Sequence, residues 1–172
     1  LGAYGNQEVS TPNIDRLAGD SVLCERSISH SGWTVPSHGS IFTGSFPSDH
    51  GVKQMGDSYA PDIGSLPGFL KTEGYRCASF TMLPYFAKGE ALSGGFDHIA
   101  KPEMGRDREA YCRLNDGALE WAGEKRRPWF VFYHSWGAHW PYVRPRGFPE
   151  VEGEPLDSRA KCLWNPDSGV FE

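Results

Sequence analysis

The run Trp129-Phe130-Val131-Phe132-Tyr133 restricts the fold more than any other part of this 172-residue chain. Five consecutive apolar or aromatic side chains do not suit a strand with one face in water. They suit a strand covered on both faces, as in a parallel sheet flanked by helices. The run follows the clearest amphipathic segment, Arg108 to Lys125, where Tyr111, Leu114, Ala118, Trp121 and Ala122 recur at helical spacing and Pro128 closes the pattern. An earlier step repeats the arrangement. Leu66, Phe69 and Leu70 recur at helical spacing until Gly74, and Tyr75 to Thr81 then reads as a buried strand. Helix followed by strand, twice over, predicts a layered α/β fold with both strands interior and parallel.

Elsewhere turn signals dominate, because 21 glycines and 13 prolines are well above the usual share for a globular domain. Thr11-Pro12 offers a capping residue and a first-turn proline to a short helix bearing Ile14, Leu17 and Ala18, and Val22-Leu23 reads as a strand after it. Residues 1–148 are expected to form the main domain; residues 149–172, rich in proline, glycine and charge, are expected to be mostly irregular and truncated. Leu1 is not an initiator methionine and no signal-like segment follows it, so the chain is expected to be a fragment. A net charge of −5, without a Lys/Arg stripe, leaves no electrostatic footprint for nucleic acid. No apolar run approaches the ~18 residues of a membrane span. The four cysteines include no Cys-x-x-Cys pair, which argues against a zinc ribbon and leaves the compartment open.

Chemistry concentrates in Trp33-Thr34-Val35-Pro36-Ser37-His38-Gly39-Ser40-Ile41-Phe42-Thr43-Gly44. Pro36 suits the first turn of a helix and Gly44 its end, which puts Thr34 just ahead of a helix N-terminus. Exposed N–H groups and the macrodipole favour a bound oxyanion there, and Ser37 and His38 lie one turn on. From these residues alone two readings stay open. The stretch is a phosphate- or sulfate-ester site, or Thr34 is a simple cap and Ser37 a first-turn polar residue.

Thr11-Pro12-Asn13-Ile14-Asp15-Arg16-Leu17-Ala18 resembles the opening landmark of the sulfatase family in the alkaline phosphatase superfamily. Thr34-Val35-Pro36-Ser37-His38, with Thr43-Gly44 and Pro47-Ser48-Asp49-His50-Gly51-Val52, resembles its active-site signature. Leu70 to Arg76 is similar to its helix-to-strand step, Gly95-Phe96-Asp97 to its Gly-Phe-Asp landmark, and Trp136 to Tyr142 to its His-x-Pro-Tyr loop. Landmarks in consistent order are more specific than any one of them. The resemblance implies a three-layer α/β/α, mostly parallel fold, incomplete at both ends, and a metal-dependent hydrolase of phosphate, phosphonate or sulfate esters.

By resemblance Thr34 matches the nucleophile, which is also a metal ligand. His38 matches the supporting arginine of sulfatases, and His139 the histidine that contacts the transferred group or protonates the leaving oxygen. Ser37 is expected to bind substrate. The resemblance places the remaining metal ligands outside the chain, so a divalent cation (Ca, Mn, Zn or Mg) is expected in the full-length protein and none in this chain. The partner implied is a small anionic ester. His50 is expected to be structural and His134 to be a satisfied core histidine outside the site. Asp15 and Asp97 are expected to bond backbone N–H groups rather than metal.

Two departures from the family pattern matter. Met82-Leu83-Pro84 occupy the region where sulfatases carry a sulfate-gripping Gly-Lys-x-His. A threonine, moreover, cannot be oxidised to the aldehyde sulfatases use, so direct attack and phosphate-type esters are preferred. The alternative is a non-catalytic truncated or pseudoenzyme domain that keeps the fold for packing or partner binding. A serine hydrolase is set aside because no Gly-x-Ser-x-Gly elbow is present.

Overall fold

The structure, a computed structural model, describes residues 1–8, 10–100, 108–123, 128–136 and 139, with two short strands at 164–165 and 170–171. Both helix-to-strand steps are present. Helix α4, Leu66–Thr72, opens at Ser65, whose hydroxyl accepts the Gly68 N–H, and leads into strand β1, Arg76–Thr81. Helix α5, Arg108–Gly123, precedes strand β3, Trp129–His134. The two strands pair in parallel, from Arg76 opposite Trp129 to Thr81 opposite His134. Strand β2, His98–Ile99, adds in parallel to the other edge of β1, giving the order β2-β1-β3. Two residues are too few to leave a periodic signal, so β2 was not legible in the sequence.

Strand alternation sorts the side chains into two layers. Cys77 packs with Val35, Phe42, Phe86, Leu92 and Phe96, joined by Phe130 and Phe132. Ala78, Phe80 and Met82, joined by Val131, pack on Ala110, Leu114, Ala118 and Trp121 of α5. Helix α2, Thr34–Thr43, contributes Val35 and Phe42 to the first layer. The sheet therefore lies between helices, in three layers, as expected. β1 is interior; β3 has a sheet partner on one side among the described residues, and Trp129 and Tyr133 remain 46% and 42% exposed.

Asp97 ties this frame together. Its carboxylate takes the Cys77 N–H at 3.0 Å and pairs with Lys71 at 2.8 Å and Arg76 at 3.5 Å. Burial alone would raise its pKa, but the Lys71 and Cys77 bonds and the charges of Lys71 and Arg76 hold it below the ordinary carboxylate value. Gly95 is required two residues earlier, where a Cβ would collide with the Gly68 backbone at the start of α4.

The N-terminal part departs from expectation. Helix α1, Pro12–Gly19, has Thr11 at its N-cap, yet the Thr11 hydroxyl donates to the Asp15 carboxylate at 2.9 Å and accepts the Gly2 N–H at 2.9 Å rather than capping an N–H of its own helix. Asp15 also accepts the Ala3 N–H at 2.8 Å, the backbone role expected of it. Val22-Leu23 is not a strand: it is irregular, with Val22 92% exposed. β-branched character does not make a strand without a neighbour to pair with. Helix α3, Pro47–His50, follows α2 closely. At the far end strand β4, Trp164–Asn165, pairs antiparallel with strand β5, Val170–Phe171. The rest of 149–172, with Trp140, Pro141, Tyr142 and Cys162, lies outside the described residues.

Candidate active site

Helix α2 starts at Thr34, two residues earlier than the proline suggested, because a proline anywhere in the first turn removes an N–H that has no helical partner there. Trp33 is the N-cap and makes no side-chain capping bond, so Thr34 is the first helical residue and not the cap. No acidic residue occupies the first turn, and the positive end of the dipole meets no carboxylate of its own helix. At the other end Gly44 adopts φ 67° and its N–H bonds the Ser40 carbonyl at 2.8 Å. Thr34, Ser37 and His38 form one half-buried stripe, while Val35, Pro36, Gly39 and Ser40 are buried behind it.

Two of the three polar residues of that stripe, Ser37 and His38, are already oriented. The Ser29 hydroxyl donates to the Ser31 carbonyl at 2.7 Å, so the 3.1 Å contact between Ser37 and Ser29 has Ser37 as donor. His38 donates Nδ1–H to the Thr34 carbonyl at 2.9 Å, which leaves Nε2 as the ring's other functional atom. Its ring meets Phe86, Phe132 and His134 edge to face, at centroid distances of 5.1, 5.7 and 5.1 Å and interplanar angles of 79°, 78° and 73°. Burial lowers the His38 pKa against the raising effect of its bond to Thr34, so the ring is uncharged at neutral pH. It therefore does not reproduce the fixed positive charge of an arginine.

Phe86 belongs to the 3-10 turn Pro84–Phe86 and is fully buried. Where sulfatases by resemblance carry a charged sulfate grip, Leu83 and Phe86 line the α2 face and Met82 the α5 face. The wall beside His38 is apolar.

His134, expected from the sequence to be a satisfied core histidine, differs from that expectation in one respect. On β3 it shares the parity of Phe130 and Phe132, and its ring is on the α2 side against His38 and Phe86, at 5.1 and 5.4 Å. It is not a satisfied core histidine: Nδ1 is buried and has no hydrogen-bond partner among the described residues. Burial first, and then the neighbouring His38 and His139, push its pKa down to about 4, against the raising effect of its own carbonyl. The signal that could have found it was strand alternation, which puts positions 130, 132 and 134 on one face.

His139 is exposed, with its ring 5.3 Å from Trp136 and its N–H on the Trp136 carbonyl at 3.2 Å. It is close enough to His134 for its charge to be felt there. The structure thus brings His38 and His134 into contact and His139 near His134.

His50 shows the contrasting case. It is fully buried, accepts the Val52 N–H at Nδ1 at 3.1 Å, and places Nε2 3.2 Å from the Ser40 hydroxyl. Both nitrogens serve the packing of α3 on α2, the structural role expected of it. Among the described residues no group of three or more His, Cys, Asp or Glu is placed to hold a metal ion. Asp15 and Asp97 are engaged as described, and a lone threonine hydroxyl does not hold a divalent cation. The described residues therefore do not fit a metal site by themselves.

The fold, a parallel sheet between helices, is alkaline-phosphatase-like. The chain belongs to the sulfatase family, whose profile matches residues 1–163. It is 34% identical over 164 residues to an ulvan-active sulfatase of Formosa agariphila, covering 95% of this chain and 24% of that protein. It thus spans about a quarter of that relative's length. Among solved structures it resembles a phosphonate monoester hydrolase of Agrobacterium radiobacter, with TM-score 0.69, 20% identity, and coverage of 86% of this chain and 40% of that one. A protein solved with its substrate D-glucosamine-2-N,6-O-disulfate gives TM-score 0.70 and 20% identity, with 88% of this chain and 36% of that one covered. The resemblance is to ester hydrolases, and sulfatase-family members generally bind a divalent metal. Among the described residues no helix is long and apolar enough to cross a membrane.

Proposed function

We propose that this chain supplies the nucleophile end of a hydrolase of phosphate or phosphonate esters, with Thr34 as the attacking hydroxyl. One observation carries the reading: Thr34 opens α2 on the same half-buried stripe as Ser37 and His38, at a helix end with neither a side-chain cap nor an acidic first turn. Thr34 Oγ1 forms the bond to phosphorus as the bond to the leaving oxygen breaks. The hydroxyl proton goes to the uncharged imidazole of His38 on the same stripe, and His139 protonates the leaving oxygen. Water then cleaves the phosphothreonine, and Ser37, its hydroxyl turned from Ser29 to the substrate, holds a non-bridging oxygen of the ester. The family's divalent cation belongs to the whole protein in this reading, with Thr34 as one ligand and the others outside the described residues.

The unmodified threonine supports phosphate-type esters over sulfate esters, because it attacks directly. Sulfate esters, the substrates named for two of the relatives, are the competing class. The test is the full-length protein assayed with paired aryl phosphate and aryl sulfate. Thr34→Ala is expected to abolish turnover and Thr34→Ser to retain it; chelation is expected to abolish turnover as well. Retained turnover in Thr34→Ala, or sulfate as the better substrate, overturns the reading. A non-catalytic role is favoured by one observation, the absence of a metal-ligand set among the described residues, and a full-length protein inactive on both substrates would support it.

A further inference from the structure

We propose that His134 is a third imidazole of the ester site, a hydrogen-bonding group without a partner among the described residues that bonds an oxygen of the bound ester. The inference rests on the reading of Thr34 and His38 above and adds a substrate-contacting residue to it. The rings of Phe86, Phe132 and His134 lie within 29° to 42° of one another, and His38 stands nearly perpendicular to all three. Position 134 is therefore shaped for a flat ring among flat rings, and phenylalanine would fill it without a polar atom to satisfy. The histidine instead buries Nδ1 with no partner among the described residues. Such a group destabilises a fold unless something else uses it.

The same fold satisfies an imidazole fully where the role is structural, since His50 has both nitrogens engaged. His134 also ends a parallel strand, on the carboxyl side where open α/β sheets place ligands. It touches His38 from the helix and lies within electrostatic reach of His139 from the loop. It is the link between the two halves of the proposed site. An uncharged imidazole there offers a hydrogen bond to a phosphate-type oxygen without placing a positive charge beside His38, which must accept the Thr34 proton.

Two experiments test this. The full-length protein labelled with 15N-histidine is titrated with inorganic phosphate as the probe. The ring signals of His134 and His38 are expected to shift while His50 stays fixed. Movement of His38 without His134 overturns the inference and leaves the Thr34 site standing, and no movement of any imidazole overturns both. In the full-length protein, His134→Phe is expected to unfold at the same or a higher temperature while kcat/KM falls at least about tenfold. His134→Asn, which keeps a polar atom near Nδ1, is expected to recover part of that loss. Turnover within about twofold of wild type in His134→Phe makes His134 a packing ring and overturns the inference. So does a matching loss of stability and activity in both variants. Unchanged turnover in Thr34→Ala, by contrast, removes the site on which the inference rests.

Discussion

Helix α2 has a histidine on each of two sides, and the two are treated oppositely. At the α2–α3 corner His50 is fully buried and bonded at both nitrogens, to the Val52 N–H and the Ser40 hydroxyl. Against β3, His134 is partly exposed and carries a buried nitrogen with no partner among the described residues. The first is what a fold does with a polar ring that it needs for packing. The second, among the described residues, is a liability to stability that a bound ligand would relieve. The difference teaches that burial alone does not separate a structural histidine from a functional one. Hydrogen-bond satisfaction is where these two differ.

The largest effect expected to sharpen this comparison is at His50. His50→Ala leaves the Val52 N–H and the Ser40 hydroxyl unpaired around a cavity, and should cost about 3 to 4 kcal/mol of unfolding free energy by denaturant titration. A cost below about 1 kcal/mol would break the contrast. Gly39→Ala tests the same corner from the helix side, because its Cβ would lie 2.6 Å from His50 Cε1. The fully buried ring must shift to admit it, and a loss of about 2 kcal/mol is expected in the same measurement.

At His134 the sign should reverse. His134→Phe is expected to gain up to about 1 kcal/mol at neutral pH, since it removes an unpaired buried nitrogen and keeps the ring. It should also change the acid response. The folded His134 has its pKa down near 4, while the unfolded chain binds its proton near the ordinary 6.5. Stability from this group is thus complete above about pH 6.5 and is lost as pH falls toward about 4. His38 and His50, also lowered by burial, act in the same direction. The Phe variant should therefore show a shallower fall in melting temperature between pH 6.5 and 4 than the wild type, and equal slopes would show that His134 does not titrate as described. The smallest effect is at Asp97. Asp97→Asn loses the pairs with half-exposed Lys71 and Arg76 and should cost about 1 kcal/mol by thermal melting. Most of that cost should vanish at acid pH, where the carboxylate in the wild type is protonated.

The parts of the fold that were legible in advance have local causes. Leu66, Phe69 and Leu70 before Gly74, and Tyr111, Leu114, Ala118 and Trp121 before Pro128, repeat at a period that only a helix satisfies. The apolar runs after them form β1 and β3 in parallel. Val22-Leu23 failed because strand propensity is realised by pairing, which a dipeptide does not guarantee. The apolar pattern of α1 was read correctly as a helix, but Ile14 and Leu17 are 48% and 66% exposed, so an amphipathic pattern did not predict burial among the described residues.

Within the site, Thr34, Ser37 and His38 were readable together because three and four residues along one helix fix a shared face whatever else the chain does. The nucleophile assignment to Thr34, and the role of His139, came from resemblance to the sulfatase family and not from that spacing. What the sequence determined by itself was periodicity: which segments wind as helices, which extend as strands, and which residues share a face. What only the tertiary structure decided was which of those faces meet. His38 and His134 are 96 residues apart in sequence and come to 5.1 Å because α2 packs on the face of the sheet that carries Phe130, Phe132 and His134. No local preference encodes that contact, since it depends on the register of β3 against β1 and on the layer in which α2 lies.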